Sequence, residues 1–123
     1  MNIALFHNLP SGGAKRALYE LTRLLSESGH TCDLYTLSLS NETFLPLSPY
    51  VRHVSTTHVQ PFQLWHTRLL PFLIQYLNFP RKIQYLRHLK SIYARIAQQI
   101  DRKEYDVVFV QHCQIVQSPY LLR

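Results

Sequence analysis

The chain has 123 residues, of which 46% are hydrophobic, 12% aromatic and 16% charged. This composition indicates one compact folded domain, or part of one, and excludes disordered, collagenous and coiled-coil chains. Three glycines cannot supply the G-x-G-x-x-G dinucleotide fingerprint, and no G-x-x-x-x-G-K-[ST] loop is present to hold a triphosphate. Thirteen Lys and Arg against seven Asp and Glu give a net charge of +6, which indicates an anionic partner such as a nucleotide, a nucleic acid or an acidic lipid.

The start of the chain and its cysteines indicate a cytoplasmic protein. An apolar run begins at Ile3 and leaves no room for a signal peptide. The apolar run 69–74 is far shorter than the roughly 20 residues that a membrane-spanning helix needs. Cys32 and Cys113 lie in apolar, strand-like segments without C-x-x-C spacing, so reduced core thiols are favoured over a disulfide or a metal site.

The first third of the chain predicts a strand, a helix and a second strand. Residues 2–7 form a short apolar run, and the turn-forming residues 8–13 follow it. Helical periodicity then extends over 13–28, and Gly29 stands where a left-handed cap would end the helix. Residues 31–39 return to a strand-like composition, so the three elements form a βαβ unit with parallel strands.

The helix predicted over 13–28 carries an apolar stripe at intervals of three and four residues. The residues of this stripe, which we expect to be buried, are Ala14, Ala17, Leu18, Leu21, Leu24 and Leu25. Charged residues take the opposite face, so we expect Lys15 and Arg16 to be solvated more readily than to bind phosphate.

The middle of the chain predicts a loop over 41–49, a short strand over 51–56 and a helical region. Segment 62–79 is rich in aromatic and aliphatic residues but contains Pro71. Because proline removes a helical hydrogen bond, we expect two short helices that divide near Leu70.

The last third predicts a long helix and a fourth strand. Pro80 suits a first helical turn, and an apolar stripe continues to about Lys103. The fully apolar run 107–110 follows as a strand. Ser118 and Pro119 then read as the start of another helix. Four strands are fewer than the six or so of a complete doubly wound sheet, so we expect one incomplete α/β domain over 1–123.

Several candidate site residues follow the predicted strands. Ligands of an open α/β sheet bind beyond the carboxyl ends of its strands, and we expect strands 1 and 4 to lie side by side there. The candidates are His7, Asn8, Gly12, Gly13, Lys15, Gln111 and His112. Paired glycines allow close approach of the backbone, and a helix N-terminus attracts phosphate, although the pair suits a plain turn equally well.

The two histidines among these candidates, His7 and His112, could serve in catalysis or in metal binding. The imidazole of His112 can donate or accept a proton near neutral pH, yet a histidine at a strand end is as often a packing residue. A zinc site formed by His7 and His112 lacks a third ligand, so no metal is predicted.

Four stretches of the sequence carry a resemblance to a known family through their order and spacing. They are 1–7 (MNIALFH), 11–18 (SGGAKRAL), 25–35 (LSESGHTCDLY) and 105–112 (YDVVFVQH). Together they resemble the opening of a family 4 glycosyltransferase of the GT-B type. In that family a first strand enters a Gly-Gly-Ala turn and an amphipathic helix, a Gly-His pair precedes the second strand, and an Asp-Val-Val strand ends near the active site. The middle of the chain is similar only in pattern.

The resemblance implies the acceptor-side, amino-terminal Rossmann-like domain of a two-domain enzyme, with the donor-binding domain and its two glutamates absent. The whole enzyme would transfer a sugar from a nucleotide-sugar donor to a glycan or a lipid-linked acceptor, with retention and without a metal or cofactor. Gly12 and Gly13 would approach the donor diphosphate, with Lys15 beside them. The substrate-binding residues would be His7, Asn8 and Gln111, and the catalytic residue would be His112.

The residues leave a different class of function open, namely a non-enzymatic flavodoxin-like module or a basic nucleic-acid-binding module. The charge of +6 and the eight tyrosines favour such a module. The basic residues are dispersed, however, and neither an RNA-binding signature nor a helix-turn-helix pattern is visible, so no specific nucleic acid is predicted.

Segment 59–79 also predicts a peripheral contact with the inner face of a membrane. It contains more aromatic residues than one helix stripe can bury, namely Phe62, Trp65, Phe72, Tyr76 and Phe79. Arg68, Arg81 and Lys82 flank them, and basic residues beside exposed aromatic ones suit an anionic bilayer. Packing of these aromatic residues on the sheet, or on the missing part of the domain, is the alternative that the composition favours.

Overall fold

The structure is a computed structural model that describes residues 1–40, 42–60 and 71–113, with the backbone alone described in 71–77 and 112–113. Its elements are β1 (Asn2–Asn8), α1 (Gly13–Glu27), β2 (Thr31–Leu37), a short 3-10 turn (Ser48–Tyr50), β3 (His53–Thr57), α2 (Pro71–Asp101) and β4 (Val107–Cys113). The described strands form one parallel sheet of order β3-β2-β1-β4. The predicted α/β fold with a parallel sheet flanked by helices is therefore confirmed, and it is compatible with a Rossmann-like arrangement.

Strands β1 and β4 lie side by side, as predicted. Their register pairs Phe6 with Val110, and after an irregularity it pairs Asn8 with Cys113. One extra residue of β4 is thereby accommodated opposite His7. The backbone of 111–112 consequently lies beside the end of β1, at the carboxyl edge of the sheet.

The core has two parts, one on each face of the sheet. The residues that β1 contributes alternate between them, because successive strand residues point to opposite faces. Ala4 and Phe6 pack on the side that α2 covers, whereas Ile3 and Leu5 pack on the α1 side. A strand buried on both faces needs a continuous apolar run, which is why β1 reads as one.

The buried face of α1 differs from the prediction. The helix buries Lys15, Leu18 and Thr22, while Ala14, Ala17 and Leu24 of the expected stripe are exposed. The hydroxyl of Thr22 donates to the carbonyl of Leu18 at 2.8 Å, and Lys15 has an acidic partner described below. Because these polar groups are satisfied internally, they can face the sheet in place of the alanines.

The end of α1 follows the prediction. Gly29 has φ 80°, in the left-handed region that favours glycine. Its N–H donates to the carbonyl of Ser26 at 3.0 Å, and the N–H of His30 donates to that of Leu25 at 3.0 Å. Two of the last carbonyls of α1 are thereby satisfied, and the chain turns into β2.

The predicted break between a helix that ends near Phe79 and a helix that starts at Pro80 is wrong. One helix, α2, begins at Pro71 and continues through Pro80 to Asp101. Pro71 stands at the first position, where a missing N–H loses nothing, and Pro80 lies in the interior rather than in a first turn. The predicted first helix, over 62–70, lies outside the described residues.

Helix α2 is longer than the sheet it covers. Its 31 residues span about 46 Å, against about 23 Å for a seven-residue strand. The residues that it buries in the core are Leu89, Ile92, Tyr93, Ile96 and Ile100. The rings of Phe6 and Tyr93 meet edge to face with centroids 5.7 Å apart, so the second half of α2 lies against the strands.

The two end strands of the described sheet differ in character. Strand β3 is short and carries polar side chains from His53 to Thr57, apart from Val54. Strand β4 is apolar from Val107 to Val110, and Val107, Val108 and Phe109 remain 36 to 42% exposed.

Candidate functional site

The carboxyl edge of the sheet begins at the end of β1 and continues into the turn before α1. His7 and Asn8 are fully buried there, whereas Gly12 and Gly13 are exposed. Gly12 has φ 147° and ψ −171°, a combination that is essentially restricted to glycine. A Cβ at either glycine would meet nothing within 4 Å. The turn is therefore open, and the backbone N–H groups at the start of α1 can be approached from outside.

Three side chains, which we call the carboxyl-edge cluster, lie behind this turn: His7, Lys15 and Glu42. Oε1 of Glu42 lies 2.8 Å from Nζ of Lys15 and 3.1 Å from Nε2 of His7. Nδ1 of His7 accepts the N–H of Leu9 at 3.3 Å. The proton of a neutral imidazole consequently resides on Nε2, from which it is donated to Glu42. The prediction that Lys15 would be solvated is wrong, because its side chain is fully buried.

The charges of the carboxyl-edge cluster balance. Burial lowers the pKa of His7, and the charge of Lys15 lowers it too, against the opposing influence of Glu42. For Glu42, burial acts to raise the pKa, but the hydrogen bonds from His7 and Lys15 outweigh it and lower the pKa to about 2. The cluster at neutral pH is therefore one cation, one anion and one neutral imidazole.

Glu42 reaches this cluster from the loop that follows β2, and its side chain is 35% exposed. Oγ of Ser40 donates to Oε1 of Glu42 at 3.4 Å, and the hydroxyls of Ser40 and Thr36 lie 2.5 Å apart. The network thus joins the ends of β1 and β2, the first turn of α1 and a loop. Glu42 was not predicted from the sequence, because no local pattern connects it to a lysine 27 residues earlier.

The structure brings together several of the predicted site residues. His7, Asn8, Gly12, Gly13 and Lys15 all belong to the carboxyl edge, although His7, Asn8 and Lys15 are buried rather than open. Gln111 is half-buried on β4 beside the end of β1. The backbone of 112 lies at the same edge, and the side chain of His112 is outside the described residues. Among the predicted site residues whose burial the structure describes, Gly12 and Gly13 are therefore the exposed ones.

A second group of side chains, which we call the amino-edge cluster, lies at the opposite edge and surrounds Asp33. The guanidinium of Arg52 donates to both carboxylate oxygens of Asp33 at 3.0 and 2.8 Å, and the hydroxyl of Tyr105 donates at 2.7 Å. Nζ of Lys103 lies 3.5 Å away. Burial acts to raise the pKa of Asp33, but the hydrogen bonds from Arg52 and Tyr105 lower it to about 2. This cluster was not predicted from the sequence.

A cavity of about 290 Å³ lies near the amino-edge cluster, away from the predicted site. Its lining residues are Tyr35, His53, Ser55, Gln99, Arg102 and Lys103. The cluster beneath it joins β2, the residue before β3 and the segment between α2 and β4. Such a bonded framework at the amino ends of parallel strands is typical of a stabilising region, since ligands bind beyond the carboxyl ends.

In the part of the chain that the structure describes, no group of three His, Cys, Asp or Glu side chains is placed to hold a metal ion. Cys32 is a buried free thiol, and burial raises its pKa. None of the described helices is both long enough and apolar enough to cross a membrane.

Comparison of this chain with protein-family models, with curated proteins and with solved structures finds no match. The class that the observations define is thus an α/β domain with a four-stranded parallel sheet and an open glycine turn at its carboxyl edge.

Proposed function

We propose that this chain is the acceptor-side domain of a GT-B glycosyltransferase, whose whole protein transfers a sugar from a nucleotide-sugar donor to a glycan or lipid-linked acceptor. The observation that carries the proposal is the open turn at Gly12 and Gly13, which stands at the carboxyl edge and at the start of a helix. Backbone N–H groups and the positive end of the helix dipole suit a diphosphate.

Lys15 can bind a diphosphate only after Glu42 has left it. Its ammonium is already paired with Glu42, so in the described state the backbone of the turn supplies the groups that meet an anion. Glu42 is partly exposed and lies on a loop, hence movement of that loop would free a buried cation beside the turn. A diphosphate would then replace the carboxylate as the partner of Lys15.

The reaction requires two facing surfaces. The bond between the anomeric carbon and the diphosphate oxygen breaks, the acceptor oxygen bonds to that carbon, and the proton of the acceptor hydroxyl passes to the leaving diphosphate. Donor and acceptor must be held in reacting geometry, and we assign one surface to this chain and the other to a donor-binding domain. His112 is the residue we propose to contact the reacting sugar, with His7, Asn8 and Gln111 supporting the substrate-binding edge.

Binding by this chain alone tests the proposal first. We expect uridine or guanosine diphosphate sugars to shift the backbone amide resonances of residues 12–15 in NMR titrations. Gly13→Val should abolish the shifts, because a branched side chain blocks approach of the diphosphate to the backbone. Ala17→Val, on the exposed face of the same helix, is the matched control. Shifts caused equally by random RNA or DNA, and suppressed by salt, would instead support a nucleic-acid module.

Kinetics on the two-domain enzyme tests the catalytic assignment. We expect no transfer by this chain alone, since it contributes one surface. In the whole enzyme, Gly13→Val should raise KM for the donor. His112→Ala should lower kcat by about 10²-fold or more with little change in donor affinity, as expected for a positioned catalytic group. Near-normal turnover of His112→Ala would indicate that His112 is a packing residue and not a catalytic one.

A further inference from the structure

The first half of α2 carries an exposed apolar stripe. Phe79 is 63% exposed, Ile83 38% and Leu86 43%. Their spacing of four and three residues places them on one side of the helix over about 10 Å of its axis. Apolar side chains that recur on one exposed face indicate a contact surface, whereas a single exposed apolar residue does not.

Two exposed basic side chains flank this stripe, one on each side. Lys82 lies three residues after Phe79, and Arg87 lies four residues after Ile83. The single acidic residue of the helix is Asp101, at its far end. A helix with an apolar stripe, basic flanks and little negative charge has the pattern of elements that lie in the interface of a bilayer.

The stripe also lies where the sheet does not cover it. Tyr93 is level with Phe6 near the end of β1, and Lys103 is close to Asp33 near the start of β2. The helix therefore runs opposite to the strands, and its first half continues past their carboxyl ends. Leu86 and Phe79 stand about 10 and 21 Å further along the axis than Tyr93.

We propose that this half of α2 binds an anionic lipid bilayer, with Phe79, Ile83 and Leu86 entering the interface and the flanking cations meeting lipid phosphates. Charge complementarity favours an anionic bilayer at this surface, because basic side chains beside the stripe, on a chain of net charge +6, attract a negatively charged surface. The inference does not depend on sugar transfer. If the proposed function holds, the surface would bring the carboxyl edge close to a lipid-linked acceptor.

Co-sedimentation of the 123-residue chain with vesicles tests the inference, without any nucleotide sugar. We expect binding to phosphatidylcholine vesicles that contain phosphatidylglycerol, loss of that binding as salt rises, and little binding to phosphatidylcholine alone. Because each basic residue near such a surface is worth about a fivefold change in partitioning, Lys82→Glu should weaken binding about tenfold or more. Phe79→Ser should weaken it by removing the largest apolar side chain of the stripe.

Matched controls separate this surface from general effects of charge and apolarity. Arg95→Glu makes the same change in net charge on the side of α2 opposite the stripe, and Leu24→Ser removes an apolar residue that is more than half exposed on α1. Both controls should bind vesicles much as the unchanged chain does. All four residues are exposed on helices, and circular dichroism verifies that each variant is folded.

Three results would overturn the inference. The first is no sedimentation with phosphatidylglycerol vesicles at low salt, and the second is equal weakening by the two control variants. The third is a dimer in analytical ultracentrifugation that Phe79→Ser converts to a monomer, since a second copy of the chain would then be what covers the stripe. Nucleotide-sugar binding at the glycine turn is measured separately, so failure here leaves the proposed function standing.

Discussion

The two polar clusters at opposite edges of the sheet have inverse arrangements. In the amino-edge cluster the acid is the buried partner, since Asp33 is 1% exposed while Arg52 and Lys103 reach it from the surface. In the carboxyl-edge cluster the buried partners are Lys15 and His7, and the acid arrives on a loop. A buried strand residue cannot leave its partners without unfolding, whereas a loop residue can. The first arrangement therefore stabilises the fold, and the second can exchange its acid for a ligand.

Removal of the buried acid is the strongest way to test this comparison. Asp33→Ala should lower the free energy of unfolding by about 3 kcal/mol, because it deletes a buried carboxylate and leaves the Tyr105 hydroxyl without its acceptor. Urea denaturation followed by circular dichroism measures the loss. Asp101→Ala, at an exposed helix end, should change it by less than about 0.5 kcal/mol. A loss below about 1 kcal/mol for Asp33→Ala would contradict the stabilising role.

Acid should act on the same cluster in a defined direction. Folding lowers the pKa of Asp33 from its ordinary 3.8 to about 2, so the folded state binds fewer protons in that range and is stabilised above it. This contribution, about 2 kcal/mol, should be lost as the pH falls from about 4 to about 2. Glu42 titrates in a similar window, so the difference between the unchanged chain and Asp33→Asn isolates Asp33. Identical pH dependence of urea unfolding in both chains would refute the assignment.

The glycine turn extends the comparison from side chains to the backbone of the carboxyl edge. Gly12→Ala should cost about 1.5 kcal/mol, because its positive φ of 147° is unfavourable for any residue with a Cβ. Gly13 has no such φ and has open space around it, so Gly13→Ala should be neutral or stabilise by about 0.5 kcal/mol. Thermal unfolding of the two variants gives the comparison, and equal losses would mean that the turn is held by contacts rather than by conformation.

The smallest effect on the free energy of unfolding is expected for Glu42, the acid that can be replaced by a ligand. Glu42→Gln should cost about 1 kcal/mol, less than Asp33→Asn, because water can reach Lys15 once the loop loosens. It should also lower the pKa of His7 further, since the hydrogen bond to Glu42 is what raises that pKa against burial. An NMR titration of the His7 ring follows this pKa. A loss as large as that of Asp33→Asn would show that Glu42 is held as firmly as Asp33.

The parallel sheet was predictable from local sequence because β1 and β4 are short apolar runs, and β2 and β3 are rich in β-branched or aromatic residues. The adjacency of β1 and β4 followed from general rules of α/β topology. The identity of the buried face of α1 was not predictable in this way. Lys15 and Thr22 are polar by composition, and their burial depends on Glu42 and on a backbone carbonyl.

The prediction failed in a similar way at α2 and at the amino-edge cluster. Pro80 marks a helix start by local rules, yet packing of residues 89–100 on the sheet supports a helix that extends through it. Asp33 reads as one polar residue within a strand, and its partners at 52 and 105 are distant in sequence. Contacts between residues that are distant in sequence determine these features, and the periodicity of a single sequence does not predict such contacts.

The contrast between the two end strands of the described sheet bears on how the chain behaves in concentrated solution. The backbone edge of an end strand can pair with another strand, and polar side chains discourage such pairing. Strand β3 has this protection in His53, Ser55, Thr56 and Thr57, whereas β4 presents Val107, Val108 and Phe109. Of these two end strands, β4 should therefore contribute more to aggregation, and solubility should respond more to substitutions in β4 than to equal substitutions in β3.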